Sequence, residues 1–419
     1  MKVAFLVNDL ALSGGIGVVV AHARQLHDRH GFDVTLVLAR EQEEPHWAHD
    51  ALPGLHVATL EHARDTRFDI AISTWWETAF VLFELQAERY ASFIQSLEDR
   101  FYRADEVERL GAQVALDLPV TFITEARWIR DTLADLRPDA TCHLVRNGID
   151  KATFASPERV EPNTTAPLRI LVEGYASSWF KGVNQAIAAV RQMAEPHLLT
   201  VVAPSDQGLD ARGADRVLGA IPQRDLAALY AETDVLLKLS QVEGMYGPPL
   251  EGFHMGATCV TTEVTGHEEY VEHGYNALVC DWDDERGTAR QLDLLARNRR
   301  LLHALRSNAL ETAKGWPTWE QSGEFMAGAL HAIRRDPPPP SGAGAARLLA
   351  DVRSGMELVR LEYQRRDELA WKLRRWERLR GAPGIRQVLA VHGSPGVQLV
   401  LKALHPLTRR VKQRLLGPG

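Results

Sequence analysis

Apolar residues in this chain gather in short runs separated by stretches of helical spacing, and the two patterns alternate from the first residue onward. KVAFLV, DVTLVLA, DIAIST, VTFIT and CHLVRN are β-rich runs, while IGVVVAHARQL between the first two spaces its apolar residues as a helix does. Uninterrupted apolar runs suit strands covered on both faces, so the alternation predicts a parallel sheet flanked by helices over residues 1–160. A polar, proline-containing stretch, SPERVEPNTTAP at 156–167, predicts a linker. The alternation then resumes with LRILVEG and continues through LLTVVAP, RVLGAI, DVLLKLS, TCVTTE and NALVCD. This predicts a second Rossmann-like domain over 167–336, closed by the helix WEQSGEFMAGALHAIRR. PPPP followed by SGAGA marks a boundary near 337–345. Beyond it, Leu349, Val352, Met356, Val359, Tyr363, Ala370 and Leu373 keep a three-four spacing broken at Arg366. That spacing predicts a long amphipathic helix in a basic extension over 346–419, interrupted by GAPG at 381–384 and ending in VQLVLKALHPLTRRVKQRLL.

Composition narrows the class. The 419 residues are 45% hydrophobic and 25% charged, a globular balance on a chain long enough for two domains and an addition. The net charge of -7 is unevenly spread: residues 341–419 hold 16 Lys and Arg against 6 Asp and Glu, which leaves the rest at -17. An acidic body argues against a nucleic-acid partner, which needs a basic groove. Cys142, Cys259 and Cys280 match neither a zinc site nor a redox pair and suggest buried thiols in a reducing compartment. The opening run MKVAFLVND meets Asn8 and Asp9 too early for an export signal, and nothing approaches the roughly 20 apolar residues of a membrane span. The expected location is cytoplasmic, with peripheral contact at the inner face of the cell membrane left open by the basic tail.

The chemistry-bearing residues concentrate between Asp234 and Gly274. After the strand-like DVLLKLS comes QVEGMYGPPLEGFHMG, where Pro248 and Pro249 fit only the start of a helix. Glu243 therefore falls in the loop beyond the carboxyl end of a strand and Glu251 in the first helical turn, at the sheet edge where ligands bind. Carboxylates held there can accept hydrogen bonds from sugar hydroxyls, although a helix-dipole partner and a solvated loop residue would look the same. In ILVEGYASSWFKGVNQAIAAV a strand leads through Gly174 to Lys181 and Gly182 at a helix start, where a lysine beside free amides suits a diphosphate leaving group. An exposed lysine explains the same residues without chemistry. The loop holding Ser13, Gly14, Gly15, Ile16 and Gly17 lacks the spacing of a dinucleotide fingerprint, and its glycines allow either close backbone approach to a ligand or a tight turn. Asp281, Asp283 and Asp284 in DWDD read as a surface turn, so neither a metal nor another cofactor is expected.

EGMYGPPLE resembles the Glu-x7-Glu signature of the family 4 retaining glycosyltransferases, and GATCVTTEVTGHEEYVEHGYNALV is similar to that family's continuation. The resemblance implies an α/β fold of the GT-B type, two Rossmann-like domains facing across a cleft, with a helical extension added here. It assigns Glu243 to the donor sugar as an orienting, electrostatic residue, and Glu251 to the donor's ribose or sugar. Gly244, Met245, Tyr246 and Gly247 become the donor loop between them, and Glu269 fills the acidic position of the next turn. It gives Lys181, with Gly174 and Gly182, the diphosphate, and sets Gly14 and Gly15 across the cleft. Members usually carry an Arg where this chain has Tyr175. In VRNGIDKATF, the residues Asn147, Gly148, Ile149, Asp150 and Phe154 look like the family's lobe junction. STWWETAF and SFIQSLEDRFY resemble segments of bacterial surface-polysaccharide rhamnosyltransferases. They offer Trp75, Trp76, Glu77, Gln95 and Glu98, with Phe101 and Tyr102, as contacts to acceptor or sugar, although adjacent tryptophans also read as core. No His stands at that turn, where many members have one.

The implied activity is transfer of a hexosyl or deoxyhexosyl group, rhamnosyl among them, from a nucleotide-sugar donor to a saccharide or lipid-linked glycan acceptor, with retention and without metal. A catalytically silent saccharide-binding scaffold and a sugar-nucleotide epimerase share the same two lobes. The resemblance spans residues 1–335 and stops before the tail, which reads either as a helix packing on the body or a second copy, or as a basic surface for anionic lipid.

Overall fold

A computed structural model of the chain describes residues 1–11, 13–40, 52–162, 164, 167–337 and 342–381. They fall into two units, Met1–Arg353 and Ser354–Gly419. The first contains two all-parallel sheets with helices around each.

The first sheet is built from β1 (Lys2–Val7), β2 (Asp33–Leu38), β3 (His56–Thr59), β4 (Arg67–Ser73), β5 (Gln86–Ile94), β6 (Thr121–Thr124) and β7 (Cys142–Leu144). Its order is β3-β2-β1-β4-β5-β6-β7. The helices α1 (Gly14–His30), α2 (Leu60–Ala63), α3 (Trp76–Ala79), α4 (Glu108–Leu116) and α5 (Arg127–Leu136) connect these strands. The second sheet comprises β8 (Leu168–Glu173), β9 (His197–Val202), β10 (Arg216–Leu218), β11 (Val235–Lys238), β12 (Thr258–Thr262) and β13 (Ala277–Cys280), in the order β10-β9-β8-β11-β12-β13. Around it lie α6 (Val183–Val190), α7 (Gln223–Glu232), α8 (Gly247–His254), α9 (Glu285–Arg297) and α10 (Arg299–Lys314). In each sheet the chain winds outward one way, returns to the middle and winds the other way, reversing between β1 and β4 and between β8 and β11. A crevice opens beyond the strand ends at such a reversal, because adjacent connections leave to opposite faces.

The apolar runs become the strands for the reason the pattern suggested. Val3 to Val7 of β1 and Val235 to Leu237 of β11 are fully buried. Two strands escape the pattern. In β5, QAERY is polar and only its later residues are covered on both faces, so the strand reads as a loop until its neighbours β4 and β6 are in place. In β3, HVAT stays largely exposed at the sheet edge.

One boundary expectation is corrected. The helix α11 (Trp319–Arg335), expected to close the second lobe, returns to the first. Met326, Ala327, Leu330 and Ile333 join the core of β1, β4 and α1, while Arg334 pairs with Asp69 at 3.2 Å and Arg29 with Glu320 at 3.2 Å. Its apolar stripe is as compatible with one sheet as with the other, and only the path of the chain decides. The return passes the expected lobe-junction motif: Trp316 Nε1 donates to the Asn147 carbonyl at 2.9 Å and Ile149 N to Pro317 O at 3.1 Å.

The helix α12 (Gly342–Gly381) carries the three-four apolar series. Within the second unit, Lys372 pairs with Glu368 at 2.6 Å and Arg366 with Glu362 at 3.5 Å, while Leu358, Leu361, Leu369 and Trp371 are exposed. Residues 382–384 of GAPG and the terminal apolar-basic piece lie outside the described residues. Among the described residues no helix is long and apolar enough to cross a membrane.

Candidate active site

The reversal of the second sheet gathers the chemistry. Beyond β8 the chain passes Gly174 and forms a tight turn, Trp179–Lys181, before α6. Gly182 ends that turn with φ +63°, and a Cβ there would stand 2.0 Å from the Leu239 carbonyl oxygen. Glycine alone lets the turn lie against the end of β11. Lys181 Nζ consequently donates to both carboxylate oxygens of Glu243, at 2.9 and 3.0 Å. Beneath this pair, buried Lys238 at the end of β11 donates to the Glu173 carboxylate at the end of β8. Pro248 and Pro249 open α8 as expected, but the helix already begins at Gly247, so Glu251 falls one turn in and not in the first turn, which holds no acidic residue.

Burial and charge set the protonation states. Burial alone would raise the Glu243 carboxyl, but the Lys181 and Lys238 ammoniums outweigh it and hold Glu243 below its ordinary value. Burial would lower Lys238, and Glu173 and Glu243 instead keep it above its ordinary value. Glu251 goes the other way: burial, reinforced by Glu173, pushes it up to about 8 against the pull of Lys238. The crevice thus keeps Glu243 ionised beside Lys181 and Lys238, with Glu173 on the far side of Lys238 and Glu251 mostly neutral at pH 7.

Other expected contacts fall into place differently. Tyr246 is fully buried, its hydroxyl bonded to Lys238 O at 2.9 Å and to Thr261 Oγ1 at 2.8 Å, so its side chain belongs to the core and cannot meet a donor. Among the aromatics, Trp76 is buried, donating from its ring nitrogen to Tyr102 Oη at 2.9 Å and from its backbone to Glu98 at 2.5 Å. Glu98 is itself buried, which pushes its carboxyl well up. Both, with Trp75, line a small cavity of the first lobe bounded by Ser73, Ser92 and Ser96. Trp75 stacks on Phe101 at 5.9 Å, Phe101 meets Phe180 at 5.0 Å, and Trp179 Nε1 donates to Phe101 O at 3.2 Å, so this aromatic set braces the Lys181 turn from the first lobe. Glu77 takes the Asn8 amide at 2.8 Å and pairs with Arg40. Gln95 donates to Gly15 O at 3.1 Å, while a side chain at Gly14 would meet open space. In DWDD, Asp284 caps α9, accepting from Gly287 N at 2.7 Å, and Asp283 accepts from Gln241 Nε2 at 3.3 Å.

The loop after Glu243 is in direct contact with the first lobe. A Cβ on Gly244 would lie 1.6 Å from the carbonyl oxygen of Gln95, at the end of β5. Trp128 Nε1 donates to Gly244 O at 2.9 Å, and Met245 N donates to Glu125 Oε1 at 3.0 Å. Glu269 accepts from Arg127 N at 2.5 Å and Nε at 3.1 Å and lies 3.5 Å from Arg146, so this residue ties the lobes together. Sequence reasoning missed Glu173, Lys238, Glu125 and Trp128. Three of them carry a common signal: a charged residue closing or interrupting an otherwise apolar strand run, in LRILVEG, DVLLKLS and VTFITE.

Two parallel sheets with ligand crevices at their reversals define a GT-B architecture, and comparison with known proteins bears on its class. Residues 168–298, within the second lobe, match the family described as glycosyl transferases group 1. N-acetyl-alpha-D-glucosaminyl L-malate synthase of Bacillus anthracis is 33% identical over 98 residues, covering 23% of this chain and 26% of that protein. The chain thus aligns with about a quarter of that relative's length. Among solved structures, Anabaena HepE in complex with UDP and glucose superposes with a TM-score of 0.63 at 16% identity, over 79% of this chain and 100% of that one. TarM of S. aureus, solved with Fondaparinux, alpha-GlcNAc-glycerol and UDP, gives 0.63 at 8% identity over 80% and 100% of the two chains.

Proposed function

We propose that this chain is a retaining glycosyltransferase whose second lobe holds a nucleotide-sugar donor and whose first lobe faces a saccharide or lipid-linked glycan acceptor. The observation that carries the reading is the Lys181–Glu243 pair at the reversal of the second sheet, inside the segment matched to the group 1 family. A diphosphate entering that crevice brings negative charge to the ammonium that Glu243 now holds. Lys181 can follow the phosphates as the glycosidic bond breaks and charge builds on the leaving group, which stabilises the transition state more than the ground state. Glu243, released from Lys181 but still beside Lys238, stays ionised and can accept sugar hydroxyls. Neutral Glu251, within α8, can donate as well as accept, which suits a ribose or sugar diol. This chemistry calls for no metal or other cofactor, since the cations are side chains.

Retention is supported by the resemblance of EGMYGPPLE to the family 4 retaining glycosyltransferases, and a hexosyl or deoxyhexosyl donor, rhamnosyl included, by the STWWETAF and SFIQSLEDRFY resemblance. UDP is the first nucleotide to try, because HepE and TarM were solved with it. The basic second unit, with exposed Leu358, Leu361, Leu369 and Trp371 among its charges, supports peripheral contact with anionic lipid at the inner face of the membrane. The test is a thermal-shift screen of nucleotide sugars, followed by nucleotide release with and without glycan acceptors. Stabilisation by one nucleotide family and acceptor-dependent release are expected. Release that ignores every acceptor, or epimerised donor in place of transfer, would sink the reading.

A further inference from the structure

The loop that carries Glu243 is held from the opposite lobe by consecutive backbone groups. Ser96 Oγ reaches Glu243 O at 3.4 Å, Trp128 Nε1 reaches Gly244 O at 2.9 Å, and Met245 N reaches Glu125 Oε1 at 3.0 Å. Glu125 is the most demanding of these partners. It directly follows β6 with 4% of its surface exposed, and its other oxygen accepts from Asn147 Nδ2 at the lobe junction. Burying a carboxyl is costly, and an apolar residue of similar size would fill the space more cheaply. An apolar residue would, however, leave the Met245 amide without an acceptor and the loop free to shift.

We propose that Glu125 is a positioning residue of the transfer reaction: it fixes the Met245 amide and thereby sets the Glu243 carboxylate, two residues earlier, against Lys181 while the lobes are together. The proposal rests on the transferase reading for its kinetic part only. What Glu125 supplies is hydrogen-bonding oxygens, not charge. Burial, with Glu243 adding to it, pushes its carboxyl up to about 8, so it is mostly neutral at pH 7. In that form the carbonyl oxygen still serves Met245, and a half-turn of the Asn147 amide offers Oδ1 to the acid proton. The first lobe therefore controls donor-side geometry without adding a negative charge beside the diphosphate.

Full-length Glu125→Ala, Glu125→Gln and Trp128→Phe test this with readouts that do not all need turnover. In Glu125→Ala, hydrogen exchange in peptides covering residues 243–247 should quicken by about tenfold or more, and kcat should fall by about tenfold, the equivalent of one lost buried hydrogen bond. Affinity for UDP by calorimetry should stay within about threefold, since the nucleotide is held by the second lobe. Glu125→Gln should exchange like wild type and keep at least about a third of kcat, because an amide retains the acceptor. Trp128→Phe should quicken exchange in the same peptides, by about threefold, and carries the test if Glu125→Ala does not fold. Wild-type exchange in Glu125→Ala, or in Trp128→Phe, overturns the proposal. So does a Glu125→Gln enzyme that exchanges normally but does not turn over, which would make Glu125 a charge or proton-transfer group. If the exchange pattern appears in a chain that transfers no sugar, the transferase reading fails and the clamp stands.

Discussion

Replacing Gly244 by alanine probes the contact between the lobes directly. The added methyl would sit 1.6 Å from the Gln95 carbonyl oxygen, where an ordinary carbon–oxygen contact is about 3.3 Å, so the loop must retreat by about 1.7 Å. Gln95 follows β5, a strand paired on both sides, and its backbone oxygen cannot rotate away as a side chain would. A retreat of that size breaks the Trp128–Gly244 bond of 2.9 Å and the Glu125–Met245 bond of 3.0 Å. At about 1 kcal/mol each, with some desolvated groups left unpaired, the loss is about 2–3 kcal/mol, or roughly 30–150-fold in any step that needs the assembled seam. The assay is steady-state transfer with the donor found by screening, alongside UDP calorimetry and a thermal melt. The expected outcome is a kcat lowered by that factor, with UDP affinity within about threefold and a melt still cooperative. A Gly244→Ala enzyme within twofold of wild-type kcat would show that the lobes need not meet at this loop during turnover.

The other predictions concern charge and location. Glu243→Ala and Lys181→Ala should each lower kcat by about a hundredfold or more while the thermal melt stays cooperative, and near-normal turnover in either removes that residue from the mechanism. Glu251 has a folded value near 8, above its ordinary 4.5, so the folded chain keeps a proton that the unfolded chain releases. Its contribution to stability is full below about pH 4.5 and lost as the pH rises to about 8. Glu251→Gln, neutral throughout, should therefore gain on wild type across that window by up to a few kcal/mol in urea unfolding; a constant difference between pH 5 and 8 would contradict the assignment. A chain ending at Arg353 should bind anionic vesicles less than the full chain, most clearly at low salt, and equal binding would favour packing on a second copy as the tail's role.

The strands buried on both faces were readable because a parallel sheet demands continuous apolar runs, and KVAFLV and DVLLKLS can satisfy nothing else as well. The positions of Glu243 and Glu251 were readable because Pro248 and Pro249 mark where α8 must begin. These are local constraints, carried by a few neighbouring residues. What the sequence could not show depends on distance. Whether α11 covers the first or the second sheet is a choice between two apolar surfaces, and the chain's return past Asn147 makes it. Trp76 and Glu98 stand 22 residues apart in the chain, and the Trp76 amide reaches the Glu98 carboxylate only because β4 and β5 pair. Lys238 becomes a partner for Glu173 only through the adjacency of β8 and β11, 65 residues apart in the chain. Glu125 gains its meaning from an amide 120 residues away, across the seam between the lobes. Periodicity and turn chemistry determined the elements and the loop that holds the candidate carboxylates, because those forces act over a few residues. Tertiary packing decided which charges meet, because burial and electrostatics act through space, and the order of strands in a sheet is not the order of residues in the chain.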